Sequence, residues 1–250
     1  MVAAPSTSQG SQALLIGGTF AMPRRSYGMG RASSGVIDQA RVSAQPRAVQ
    51  FVASPPLDRP PLPSQNPAVI DPSAETRAFG RSVLALLRGD ITRVAADAIV
   101  NAANSAFAHG GGVDGALRAS AGPELSGELR RRYPAGTPTG TALATSAYAL
   151  PARWVIHAVG PVWGVGGRDK LDLLASAYRR VLQVADELGA KTISTPAISA
   201  GTFGFPVETA ADVALRTVRD YLLGETGIER VTFVLRPDAL EAFRRRLATI

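Results

Sequence analysis

The chain has 250 residues, 46% of them hydrophobic, a formal charge of +7 and no cysteine. This length can bury one sizeable core in one or two domains, and the lack of cysteine excludes structural disulfides, Cys zinc sites and thiol chemistry. Two histidines, His109 and His157, are too few for a His-rich metal site. No apolar run approaches the roughly 20 residues of a membrane span, so a soluble, cytoplasmic protein is expected.

Residues 1–75 differ from the rest. "SPPLDRPPLPSQNPAVIDP" (54–72) is dense in proline, and "MVAAPSTSQGSQ" is small and polar. Proline clusters cannot continue helices or central strands. The segment reads as a disordered or loosely attached extension, with short ordered pieces near Leu14–Ile16 and Val49–Val52. It is poor in acids and carries arginines at 24, 25, 31, 41 and 47, a composition similar to a mitochondrial transit peptide. Residues 1–81 hold eight Arg/Lys and four Asp/Glu; residues 82–250 hold nineteen and sixteen. A net +3 over the second part is ordinary solubilising charge, so nucleic acid is not the expected partner.

From Ser82 the pattern alternates between strands and helices. "SVLALLRGD" (82–90) and "DAIVNAAN" (97–104) read as strands, and residues 113–132 as one helix. "TALATSAY" (141–148) and "WVIHAVG" (154–160) follow as strands. Residues 169–189 form an amphipathic helix through Leu171, Leu174, Tyr178, Leu182 and Ala185. "TISTPAI" (192–198) is a strand, a helix opens at Pro206 and runs to 222, "RVTFVL" (230–235) is a strand, and 237–248 closes as a helix. This order defines one α/β domain over residues 80–250, with a buried sheet covered by helices on both faces.

Two loops stand out. "HGGGVDGAL" (109–117) lies between a strand and a helix. Such a loop aims backbone N–H groups and a helix N-terminus at one point, which attracts an anion such as phosphate; a tight structural turn would use the same glycines. It is neither a P-loop nor a dinucleotide fingerprint. "SAGTFGFP" (199–206) repeats the strand–glycine loop–helix arrangement. Two such loops at the carboxyl ends of one sheet can clamp a diphosphate from both sides. Phe203 and Phe205 read as core residues or, being aromatic in a Gly-rich loop, as a surface for a sugar. Asp90, in "RGDIT", reads either as a cap for the next turn or as an acceptor for an exocyclic amine.

"GDI" (89–91), "NAANS" (101–105), "GGGVDGAL" (110–117), "WVIHAVGP" (154–161) and "SAGTFGFP" (199–206) come in the order and spacing of the macrodomain family. The resemblance covers roughly residues 80–248 and is closest to the MacroD-type branch. That branch removes ADP-ribose from acidic side chains and deacetylates O-acetyl-ADP-ribose. The resemblance implies a three-layer α/β/α sandwich around a mixed, roughly six-stranded sheet. It implies that Asp90 and the Ile91 N–H hold adenine, and that Asn104 hydrogen-bonds the distal ribose. Gly111, Gly112 and Val113 would offer backbone to the diphosphate and distal ribose. Ser199, Ala200, Gly201, Thr202, Phe203 and Gly204 would form the second phosphate loop.

Asp114 and Asn104 would be the catalytic residues, with the Asp114 carboxylate orienting or deprotonating a water. Near a helix start it would also stabilise the helix dipole by roughly 0.3–1 kcal/mol. The partners implied are ADP-ribose, O-acetyl-ADP-ribose and mono-ADP-ribosylated proteins, bound by a monomer with no metal and no cofactor. The alternative is a reader that binds ADP-ribose without cleaving it. His157, in an apolar strand, reads as a hydrogen-bonded core histidine. Three positions depart from the branch: His109 replaces a glycine, Arg118 replaces a histidine, and Arg236 occupies the region where many relatives place an aromatic on adenine. Arginine cannot act as a base near neutral pH, but it can stack on a flat base.

Overall fold

A computed structural model describes residues 73–165 and 169–250. The expected extension therefore lies, up to residue 72, outside the described residues, as do the two short pieces at 14–16 and 49–52. The strands are β1 (Glu75–Phe79), β2 (Ser82–Arg88), β3 (Ala98–Ala103), β4 (Ala142–Ser146), β5 (Trp154–Val159), β6 (Thr192–Thr195) and β7 (Arg230–Leu235). The helices are α1 (Gly112–Ala121), α2 (Pro123–Arg132), α3 (Lys170–Leu188), α4 (Val207–Leu222) and α5 (Pro237–Leu247).

The sheet has seven strands in the order β1-β2-β7-β6-β3-β5-β4. β1 and β4 pair antiparallel at the two ends, and all other pairings are parallel. The sheet is thus mixed, with one strand more than expected. The extra strand is β1, which begins inside the segment read as extension. "ETRAF" buries only Phe79 and exposes its other four side chains, so it carries no apolar alternation to read.

Side-chain alternation splits the core into two faces. Leu84, Leu86, Ala98, Val100, Ile156, Val231 and Phe233 join α3, α4 and α5 in the larger cluster. Ile99, Val155 and Val234 pack with Leu117 and Ala121 of α1 and Leu125 of α2. Helices therefore cover both faces, a three-layer sandwich. β5 is buried along its whole length, as a central strand must be.

The run 113–132 is two helices rather than one. Gly122 (φ 94) breaks it, and Pro123 starts α2, where its missing N–H costs nothing. In α3 the buried stripe is Leu174, Ala177, Tyr178, Val181, Leu182, Val184 and Ala185; Leu171 is exposed. Pro206 sits just before α4 rather than in its first turn.

One detail of the sheet creates the site. β3 and β6 pair only through Ala98–Ile193 and Ile99–Ser194, then separate. The chain leaves β3 for α1 on one face and leaves β6 for α4 on the other. Adjacent parallel strands whose helices go to opposite faces leave a crevice outside their carboxyl ends.

Candidate functional site

A cavity of about 470 Å³ opens at that crevice. Asp90, Ile91, Asn104, Gly111, Gly112, Val113 and Asp114 line it on the β2 and β3 side. Ser199, Ala200, Gly201, Thr202 and Phe203 line it on the β6 side, and Arg236 closes the end beside β7. Gly204 does not face the cavity. Its φ of 67 and the 2.8 Å hydrogen bond from its N–H to Gly201 O close the loop behind it. Sequence reasoning missed Gly160, which lines the cavity at the end of β5.

The backbone supplies the donors. No side chain caps α1, and the first N–H groups of a helix have no intrahelical partner. The N–H groups of Gly111, Gly112 and Val113 make no hydrogen bond among the described residues, nor do those of Ile91, Gly201, Thr202 and Phe203. Two sets of free N–H groups thus converge on one cavity, a geometry suited to a diphosphate. Ser199 adopts φ 66, and its Oγ is buried without a hydrogen-bond partner among the described residues. Phe203 is half-buried at the cavity, whereas Phe205 is buried and packs edge-on against Trp163 with centroids 4.7 Å apart. The Trp163 N–H holds Phe203 O at 2.9 Å.

Asp90 caps the single 3-10 turn Ile91–Arg93. Its Oδ1 accepts from the Thr92 hydroxyl at 2.8 Å and the Thr92 N–H at 3.0 Å, and these bonds lower its pKa. Oδ2 lies 3.6 Å from Arg93 Nε. The cap and a second acceptor are therefore available on one carboxylate. Asn104 closes its own loop: its Nδ2 donates to Ala108 O at 2.8 Å, and its Oδ1 accepts from Ala108 N at 3.0 Å. One N–H and one lone pair of that amide remain for a ligand. Arg236 is exposed and pairs with Asp238 at 3.1 Å.

Asp114 is buried on α1 at the cavity floor. Its Oδ2 accepts from Arg118 Nε at 2.8 Å and from Gly110 N at 2.8 Å; its Oδ1 accepts from Asn101 Nδ2 at 2.7 Å. Burial pushes the carboxyl up, but the three hydrogen bonds and the Arg118 charge outweigh it and hold the group below its usual range. Asn101 Nδ2 also meets His157 Nδ1 at 3.1 Å, and His157 Nε2 meets Thr145 Oγ1 at 2.9 Å. The amide donates to Nδ1, so His157 carries its proton on Nε2. Burial first, then the Arg118 charge, lowers its pKa to about 3. His157 is thus a neutral, hydrogen-bonded core residue. His109 is exposed in the loop. Among the described residues, no group of three or more His, Cys, Asp or Glu side chains could hold a metal ion, and no helix is long and apolar enough to cross a membrane.

The Macro domain family model matches residues 100–214. A macro domain-containing protein of Streptomyces coelicolor is 51% identical over 168 residues, which cover 66% of this chain and 98% of that relative. The O-acetyl-ADP-ribose deacetylase of Escherichia fergusonii is 45% identical over 171 residues, covering 68% of this chain and 97% of the relative. Among solved structures, the Oceanobacillus iheyensis macrodomain with ADP superposes with a TM-score of 0.67 at 35% identity, covering 70% of this chain and 95% of that one. The Trypanosoma brucei macrodomain in complex with ADP-ribose gives a TM-score of 0.61 at 37% identity, covering 66% and 68%. The chain belongs to the Macro domain family.

Proposed function

We propose that this chain binds ADP-ribose and hydrolyses its ester linkages, removing mono-ADP-ribose from acidic side chains or deacetylating O-acetyl-ADP-ribose. The observation that carries this reading is the placement of two free N–H clusters and one ionised carboxylate, Asp114, around a single cavity. The N–H groups would hold the diphosphate. Adenine would lie at the Asp90–Arg236 end and the distal ribose against Asn104 and Phe203. Asp114 would orient a water toward the ester carbonyl and accept its proton, while the bound phosphate shares in the activation. The deacetylase among the relatives and the nucleotides bound by two structural neighbours support the same reading.

A second reading is a binding module without turnover. One observation favours it: three donors already engage the Asp114 carboxylate. The deciding experiment follows release of ADP-ribose from a protein mono-ADP-ribosylated on glutamate, with wild type beside Asp114→Ala and ADP-ribose affinity measured on both. Release by wild type alone, with affinity within a few-fold, supports the hydrolase. Binding without release by either protein makes the chain a reader.

A further inference from the structure

Arg118 is buried, yet its guanidinium reaches three separate pieces of the chain. Nε donates to Asp114 Oδ2 at 2.8 Å, Nη1 to Ser126 Oγ at 2.8 Å, and Nη2 to Phe107 O at 3.1 Å. Those acceptors lie on α1, on α2 and in the loop between β3 and α1. The Phe107 contact falls at a residue with φ 51, a strained conformation for a non-glycine residue. The same loop closes through Asn104 and Ala108, and its far end is tied by Gly110 N to the oxygen that Arg118 holds. Only a planar fork with several fixed donors can satisfy three such acceptors at once; a histidine or a lysine cannot.

We propose that Arg118 is a positioning residue of this site: its guanidinium locks the Asp114 carboxylate and the 104–112 loop into one geometry across which the cavity is built. Arg118 touches no ligand position itself, since it does not line the cavity. It acts through Asp114 and Gly110. The inference rests on the reading of Asp114 as the group that serves the water, and it deepens that reading. Two consequences follow. Against burial, which raises its pKa, the carboxyl is held ionised by hydrogen bonds from Arg118, Asn101 and Gly110 and by the Arg118 charge, and of these partners Arg118 is the charged one. The other side chain bonded to it, Asn101 of β3, is neutral, and so is His157 of β5 behind it. Glu128, buried on α2, is engaged by Arg132, Tyr148 and the Ser146 N–H. The second consequence is geometric: with Oδ2 held by two donors, only Oδ1 keeps a lone pair for water.

The test compares wild type with Arg118→Met and Arg118→Lys by two readouts. The first is the titration of Asp114, followed by carbon NMR of its side-chain carboxyl in the ligand-free protein. The second is the pH dependence of ADP-ribose release. In Arg118→Met the Asp114 titration and the acid limb of hydrolysis should both move up by at least one pH unit. In Arg118→Lys the charge remains, so the titration should stay nearer wild type. Release should still fall at least tenfold in kcat with ADP-ribose affinity within a few-fold. Arg118→Lys also carries the test if Arg118→Met does not fold. A folded Arg118→Met with unmoved titration, or an Arg118→Lys with wild-type kcat, overturns the proposal. If wild type releases nothing, the hydrolase reading fails, while the titration still decides whether Arg118 holds Asp114.

Discussion

Asn101 and Asp114 are joined by a buried 2.7 Å hydrogen bond that links the sheet to the first helix. Asn101 also engages His157, so one amide supports two side chains. Asn101→Leu keeps the branched shape, with slightly more volume, but removes both bonds. Leaving buried polar partners unsatisfied costs about 1–3 kcal/mol. Urea unfolding should show a lower midpoint with an unchanged slope, and ADP-ribose release should slow because Asp114 Oδ1 is no longer oriented.

His157 makes stability pH-dependent. Folded, it takes up a proton only near pH 3; unfolded, it does so near its ordinary value of 6.5. Between those values the unfolded state binds more protons, so the stabilisation is full above pH 6.5 and is lost as pH falls toward 3. The slope is at most about 1.4 kcal/mol per pH unit. Asp114, with a lowered pKa, loses its own contribution only below the ordinary carboxylate range, so in mildly acidic solution the network's slope belongs to His157. Urea midpoints measured from neutral to mildly acidic pH should fall in wild type and stay flatter in His157→Gln.

The glycines separate into those that shape the fold and those that keep the cavity open. A Cβ on Gly160 would overlap Ser199 Oγ and approach Ile198 Cγ2 to 2.6 Å. Gly160→Ala should therefore push the second loop away, lowering thermal stability by about 1–3 kcal/mol and weakening ADP-ribose binding in calorimetry. A Cβ on Gly201 meets nothing within 4 Å. Gly201→Ala should melt like wild type, and Gly201→Glu should also fold yet lose ADP-ribose binding, because its carboxylate would face the diphosphate. Unchanged affinity in Gly201→Glu would remove this loop from the binding site.

Asp90 lines the cavity and uses Oδ1 for its cap, which leaves Oδ2, 3.6 Å from Arg93 Nε, as the acceptor for a ligand. Asparagine can keep the cap but would turn an N–H₂ toward adenine's own amine. Asp90→Asn should keep the melting temperature while ADP-ribose affinity falls about tenfold, the equivalent of ~1.4 kcal/mol. Ribose 5-phosphate, which lacks the base, should bind both proteins equally.

Much of this was readable because local chemistry announces itself. The glycine loops, Pro206 and the β-branched runs mark positions where backbone geometry is set by residue type. β7 falls on "RVTFVL" as expected. β1 was hidden because four of its five side chains face solvent on an edge, with Phe79 alone buried, and its backbone pairing makes it a strand. The Gly122–Pro123 break lay inside a run whose periodicity continues on both sides. The buried network was out of reach for another reason. Asn101, Thr145 and His157 look like strand residues in sequence, and only β3–β5 and β4–β5 pairing sets them beneath Asp114. Arg118 read as a departure from a family pattern, while its three acceptors are dispersed among a loop and two helices.

The strand order also dictates how the chain must be assembled during synthesis. β2 meets the rest of the sheet only through β7, and the two are separated by about 140 residues of chain, so this contact forms late. Until Arg230–Leu235 has emerged, the β1–β2 hairpin has no strand to join, and the cluster that Leu84 and Leu86 enter lacks Val231, Phe233 and Leu235 of β7 and the whole of α5. A nascent chain that stalls before β7 therefore presents an apolar strand with one open edge, the kind of surface on which aggregation begins.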